Sequence, residues 1–248
     1  MSQNPCSWIR SRLDPAARLR LICFPYAGGT ASLFYSWEQH FPKGIQVFPI
    51  ELPGRATRIG EPMPKSVAEL VDRILDEAAP YFDRPVTLFG HSLGALVAFE
   101  LARAMDRRQM LSPARLFVSA SRAPQVPRRQ PPIHHLEDRE FIQAMAKING
   151  TPDEILKHQE LLHLLLPALR ADFRLAETYQ YIPGQRLSCA ITAIGGQEDA
   201  LTTRGDLVAW HSQTTGAFNL RIVPGAHFFL QSHASSVAKL VANTISQV

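Results

Sequence analysis

The chain has 248 residues, of which 46% are hydrophobic and 19% charged, and a formal net charge of +4. This is enough apolar content for one large core, with or without a small subdomain, and the charge is too mild and dispersed to argue nucleic-acid binding. No apolar leader with small cleavage residues opens the chain and no apolar run is long enough to span a bilayer, so a cytoplasmic protein with no membrane partner is expected.

Three cysteines, Cys6, Cys23 and Cys189, are odd in number and far apart, and are expected to be reduced packing residues. After a polar leader, Leu19 to Phe24 reads as a buried strand that stops at Pro25-Tyr26-Ala27-Gly28-Gly29, before a helical stretch from Ala31 to His40. Ile45 to Ile50 is the next strand. The loop Glu51 to Arg55 and a helix over Ser66 to Tyr81 follow it.

Pro85 to Glu100 organises everything else: Val86, Leu88 and Phe89 form an apolar strand that runs into Gly90-His91-Ser92-Leu93-Gly94 and then into an Ala-rich helix. A G-x-S-x-G match is weak alone, but between a buried strand and a helix it is a nucleophile elbow, a sharp turn that pushes the serine hydroxyl into the open. Gly90 and Gly94 lack the side chains that would collide as strand and helix close. A nucleophile attacking an acyl group needs backbone N–H donors for the developing oxyanion, and the Gly pair after the first strand lets the backbone approach. The candidate donors are Ala27 N–H and Leu93 N–H.

Arg115 to Ala120 is a further strand, and the alternation so far predicts an α/β fold with a mostly parallel sheet covered on both faces. Residues 124–184 break the pattern with a Pro- and Arg-containing entry and helical segments over Asp138–Ile148, Pro152–His158 and Leu161–Tyr181. Their leucines exceed what a solvated helix needs, which predicts a helical lid over Ser92; an ordinary helical subdomain with its own core is the other reading. The expected division is a core of residues 1–123 and 185–248 with a lid of residues 124–184. His134, His135, His158 and His163 lack metal-site spacing.

The parallel pattern resumes with a strand at Leu187–Gly195, a helix near Arg204–Thr215, a strand at Asn219–Val223 and a closing helix over Ser235–Ser246. Ser92 needs a general base and a carboxylate to hold it, and in this fold class the chain order is serine, acid, histidine. His227, on a Gly-containing loop after the last strand, fits the base; His233 is its rival. The loop after Arg115–Ala120 offers no carboxylate, so Asp199 takes the acid role, with Glu198 as the neighbour to exclude. His91 is too close in sequence to serve as base and is expected to pack under the elbow.

With FPYAGG, PGR (Pro53, Gly54, Arg55), GHSLGA, GGxxD and GAHFFL all in place and in order, the chain resembles the type II thioesterases of non-ribosomal peptide and polyketide synthesis, which are α/β-hydrolases. The resemblance implies a free-standing editing enzyme that hydrolyses aberrant or stalled acyl groups from the phosphopantetheine arm of a carrier protein. It implies Ser92 as nucleophile, His227 as base, Asp199 as acid and Ala27 and Leu93 as oxyanion donors, with no metal or bound cofactor. Carrier-protein domains of a synthetase are the expected partners, with no nucleic acid, and a monomer is assumed. Arg128 and Arg129, near the lid entry, are the residues to test for meeting an acidic carrier, with plain solvated surface charge as the other reading. The rival readings are a general carboxyl-ester hydrolase or lipase, and a carrier-binding module without activity.

Overall fold

The computed structural model describes residues 6–9, 11–148 and 159–246. Six strands are joined almost throughout by helical crossovers. They are β1 (Leu19–Phe24), β2 (Ile45–Pro49), β3 (Val86–His91), β4 (Arg115–Ser119), β5 (Ala190–Gly196) and β6 (Phe218–Val223). They form one sheet in the order β2-β1-β3-β4-β5-β6 with every neighbouring pair parallel. The helices are α1 (Val67–Glu77), α2 (Leu93–Arg107), α3 (Asp138–Lys147), α4 (Gln159–Thr178), α5 (Arg204–Val208), α6 (Phe229–Ser232) and α7 (Ala234–Ser246). Among the described residues no helix is long and apolar enough to cross a membrane.

Strand periodicity sorts the core into two layers. Ile22 and Phe24 of β1 join the cluster that contains α1 and α2, whereas Leu21 and Cys23 face the other side with Phe34, Trp37 and α7. β3 is buried along its whole length, as a strand covered on both faces must be, while β6 lies at an edge and is half-exposed. Cys23 and Cys189 are buried and free.

Several expected helices are shorter or tighter than the periodicity suggested. Ala31 to His40 is two 3₁₀ turns, Ala31–Phe34 and Glu38–His40, because Phe34 and Trp37, three apart, both pack on Phe89. The Ser66 to Tyr81 segment starts where expected: the Ser66 hydroxyl accepts the Glu69 N–H at 3.1 Å. It leaves α geometry after Glu77 because Pro80 has no N–H and disfavours α backbone at Ala79, and it continues as a 3₁₀ turn, Ala79–Phe82. The Arg204–Thr215 helix likewise divides into α5, opened by a Thr203–Asp206 capping box, and a 3₁₀ segment, Ala209–Gln213. β5 begins at Ala190, and Leu187 reaches only an isolated bridge to Thr214.

Between β4 and β5 the described residues hold α3 and α4 and no strand. The helix expected over Pro152–His158 lies outside the described residues. Phe141 and Met145 of α3 pack with Leu162, Leu166 and Leu169 of α4 in a small separate cluster. Leu162, Leu166 and Leu169 therefore serve a local core, and Leu169, with Leu165, also faces the site described next, whereas Leu164 is exposed.

Candidate active site

Ser92 joins β3 to α2 at φ 54° and ψ −114°, a region that a residue with a side chain rarely occupies. The turn is closed by its neighbours. A Cβ at Gly90 would lie 2.0 Å from the Gly94 carbonyl oxygen, and one at Gly94 would lie 2.3 Å from that of Phe24. Gly90 thus permits the strand-to-helix closure, and Gly94 permits α2 to press on the end of β1. The Ser92 N–H donates to the Ser119 carbonyl at 2.8 Å, which ties the strained residue to β4.

Two loops at the carboxyl end of the sheet bring the other expected residues to Ser92. His227 Nε2 lies 3.1 Å from Ser92 Oγ, and His227 Nδ1 lies 2.9 Å from Asp199 Oδ2. Asp199 is ionised, so Nδ1–H donates to it and Nε2 is left to accept the Ser92 hydroxyl proton. The other oxygen, Asp199 Oδ1, accepts the N–H groups of Leu201 at 2.8 Å and Thr202 at 3.1 Å. Burial raises the pKa of this carboxyl, but the hydrogen bond and charge of His227 and the two backbone donors together outweigh it and hold the value below the ordinary one.

The rivals have other partners. Glu198 accepts the Gly225 N–H at 2.5 Å and so braces the His227 loop from beside it. His233 caps the C-terminal end of α6, where its Nδ1 pairs with the Ser232 hydroxyl at 2.8 Å. His91 does pack under the elbow, fully buried, with Nε2 2.8 Å from the His227 carbonyl and Nδ1 2.9 Å from Ser119 Oγ. A carbonyl only accepts, so His91 carries its proton on Nε2 and Nδ1 accepts from Ser119. Burial, then the nearby His227, push its pKa down to about 3, so it stays neutral and serves as a strut for the loop that carries His227.

A chamber of about 540 Å³ opens above Ser92 and His227. Ala27 and Leu93 line it beside the serine, and among the described residues neither N–H meets an acceptor. Leu93 is the first residue of α2, where N–H groups have no partner within the helix. The outer wall comes from the insertion, with Met145 and Ile148 near α3 and Leu165, Leu169, Phe173 and Ala176 on α4. One side is therefore apolar. The other side carries Arg128 and Arg129, both paired: Arg128 donates to Glu177 at 2.9 Å and Arg129 holds Asp206 with two bonds of 2.8 and 2.6 Å. Among the described residues no group of His, Cys, Asp and Glu is placed to hold a metal, and His134 pairs with Glu177 at 2.6 Å.

Sequence reasoning missed the polar contacts behind the loop after β1. Tyr26 is fixed by a hydrogen bond from Gln231 and by edge contacts with His91 and Phe228. Gly28 and Gly29 are bound by Asp172 and Arg55, of which only Arg55 stood in a motif.

The Thioesterase domain family matches residues 19–245 of the chain. The gramicidin S biosynthesis protein GrsT of Aneurinibacillus migulanus is 43% identical over 223 residues, covering 90% of this chain and 87% of that protein. The thioesterase PikA5 of Streptomyces venezuelae is 39% identical over 227 residues, covering 90% and 80%. Among solved structures, the type II thioesterase BorB from the borrelidin biosynthetic cluster superimposes with a TM-score of 0.87 at 34% identity, covering 97% of this chain and 98% of that one.

Proposed function

The chain belongs to the thioesterase domain family as a type II thioesterase of the kind found in non-ribosomal peptide and polyketide synthesis, and we propose that it works through a Ser92–His227–Asp199 triad. Its substrates are aberrant or stalled acyl groups on the phosphopantetheine arm of carrier-protein domains. The hydrogen-bonded run from Asp199 through His227 to Ser92, at the floor of a half-apolar chamber, carries this reading.

In the reaction, His227 Nε2 takes the Ser92 proton as Oγ attacks the thioester carbonyl. The oxyanion rests on the N–H groups of Ala27 and Leu93, donors that the backbone holds in place and that need no reorganisation at the moment of reaction. Collapse expels the pantetheine thiolate, which takes the proton from His227, and leaves an acyl-Ser92 ester. Water, deprotonated by the same nitrogen, then releases the acid. Asp199 stays ionised throughout and stabilises the imidazolium. His227 passes the Ser92 proton to the departing thiolate and the water proton back to Ser92 Oγ, so each transfer is made by the imidazole and none calls on a metal or cofactor. Residues 124–184 act as a helical lid whose α4 wall meets the acyl chain.

The test compares one acyl group presented on a carrier protein and on a pantetheine-type thioester. A specificity constant at least ~10-fold higher on the carrier supports carrier recognition, since surface complementarity raises association rates by about that much or more. Equal constants would leave a thioesterase of small molecules, and faster hydrolysis of simple esters than of either thioester would favour the carboxyl-ester hydrolase reading.

A further inference from the structure

We propose that the buried Arg55–Asp172 ion pair is a positioning device for the oxyanion turn, and thereby makes the insertion helix α4 a working part of the acylation site. The proposal rests on the reading of Ala27 N–H as an oxyanion donor.

The pair is bidentate, with Arg55 Nη1 2.7 Å from Asp172 Oδ2 and Nη2 2.7 Å from Oδ1. Both side chains are out of solvent, at 3% and 1% exposure. Each also grips the loop after β1: Asp172 Oδ2 accepts the Gly28 N–H at 2.7 Å, and Arg55 Nη1 donates to the Gly29 carbonyl at 3.0 Å. A third bond, from Arg55 Nε to the Pro53 carbonyl at 3.3 Å, fixes the arginine to its own loop.

The segment so held is a turn. Gly29 N–H donates to the Tyr26 carbonyl at 2.8 Å and Gly28 has φ +79°, which is the type II pattern with Ala27 at its second position and glycine at its third. A type II turn differs from type I by a flip of its central peptide, here the one between Ala27 and Gly28. Asp172 accepts the N–H of that same peptide. Losing this acceptor frees the peptide to flip; the Ala27 N–H belongs to the preceding peptide and does not turn with it, so what the pair supplies to that donor is the seating of the whole turn, at Gly28 through Asp172 and at Gly29 through Arg55. Tyr26, held by Gln231, anchors the near end of the turn, and Arg55 the far end.

Stability alone is a poor explanation of the pair. Two desolvated charges are commonly matched or bettered by apolar residues of similar size, so an ion pair at such a position asks for another reason. The contacts supply one, because two of the four paired atoms, Asp172 Oδ2 and Arg55 Nη1, also hold consecutive residues of the donor turn. Asp172 comes from α4, and a Cβ at Gly28 would meet Leu169 of the same helix at 2.3 Å. The turn is therefore seated against the helix that walls the chamber.

The experiment compares wild type with Asp172→Asn and with the double variant Arg55→Leu, Asp172→Leu, which leaves no lone buried charge. The readouts are kcat and KM on an acyl-pantetheine thioester, affinity for an alkyl boronic acid that forms a tetrahedral adduct on Ser92, and thermal midpoint. The double variant is expected to fold, to keep KM within about threefold and to lose roughly 10²–10³ in kcat, the scale of one lost oxyanion donor. Boronate affinity falls in step. Asp172→Asn, which keeps an acceptor for Gly28, retains more of both. A double variant with wild-type kcat and boronate affinity overturns the proposal, and so does one that cannot fold, since the pair would then serve stability alone. An amide-to-ester replacement at Ala27 separates the two ideas. If it leaves kcat intact, the donor reading fails; if it costs kcat while the double variant does not, only the ion-pair proposal fails.

Discussion

Asp199→Asn is the substitution whose effect the geometry fixes best. The replacement is isosteric, but its amide cannot choose freely how to face. Oδ1 holds the N–H groups of Leu201 and Thr202, and turning NH₂ toward them would sacrifice two acceptors, at about 1–3 kcal/mol each. The oxygen stays where it is, and NH₂ faces His227 Nδ1, now 2.9 Å from a carboxylate oxygen. Two donors cannot meet there, so the imidazole keeps its proton on Nε2 and offers Ser92 an N–H where an acceptor is needed. The wrong tautomer costs on the order of 10⁴ in kcat, or about 5.5 kcal/mol of barrier. Thioester turnover would be followed by release of the pantetheine thiol under single-turnover conditions, with a thermal midpoint to show that the variant is folded. Asp199→Ala should be no worse, because it removes the acceptor without supplying a donor. An Asn variant with more than about a tenth of wild-type turnover would refute the tautomer argument.

Ser92→Ala and His227→Ala should each remove on the order of 10⁴–10⁶ in turnover and the double variant little more, because the residues act as one unit; wild-type-like hydrolysis by His227→Ala would return the base role to His233. Gly94→Ala places a Cβ 2.3 Å from the Phe24 carbonyl oxygen and 2.6 Å from that of Pro25, both backbone, so the thermal midpoint should drop by several degrees or the chain fail to fold. His91 has a depressed folded-state pKa of about 3 against an ordinary 6.5. Above 6.5 it is neutral in both states and contributes no pH dependence. As pH falls from 6.5 toward 3 the unfolded chain binds a proton that the folded one refuses, and stability is lost at up to about 1.4 kcal/mol per pH unit. A His91→Gln variant should flatten that part of a stability-against-pH curve, and an unchanged curve would show that His91 is not the group responsible.

The sheet was legible because its strands are short apolar runs ended by Gly or Pro: β1 has the expected bounds, and β2, β3 and β4 differ by a residue or two at their ends. The three residues of the hydrogen-bonded array were legible for another reason, since each sits on a loop directly after a strand and chain order left few competitors. What periodicity could not distinguish was α from 3₁₀ geometry in Ala31–His40, where two aromatics three apart satisfy either pattern and packing on Phe89 decides. The ion pairs of Arg128 and Arg129 were not legible because their partners, Glu177 and Asp206, lie 49 and 77 positions away. Asp172 is the harder case: 117 residues separate it from Arg55. Its one local signal is an acid inside the apolar run of α4, and such a residue means a solvated face as often as a buried partner.

The position of β4 between the strands that carry Ser92 and those that carry Asp199 and His227 has a kinetic consequence. Ser92 and His227 are 135 positions apart, and parallel neighbours can join only through long crossovers, so the contact between them closes after most of the sheet is in register. Local clusters have no such requirement: Phe34 and Trp37, three positions apart, can pack edge-to-face on each other before any strand pairs. Hydrolysis is accordingly the last property that a refolding chain recovers, after tryptophan burial, and a strand added out of order is silent in every local probe but lethal to turnover.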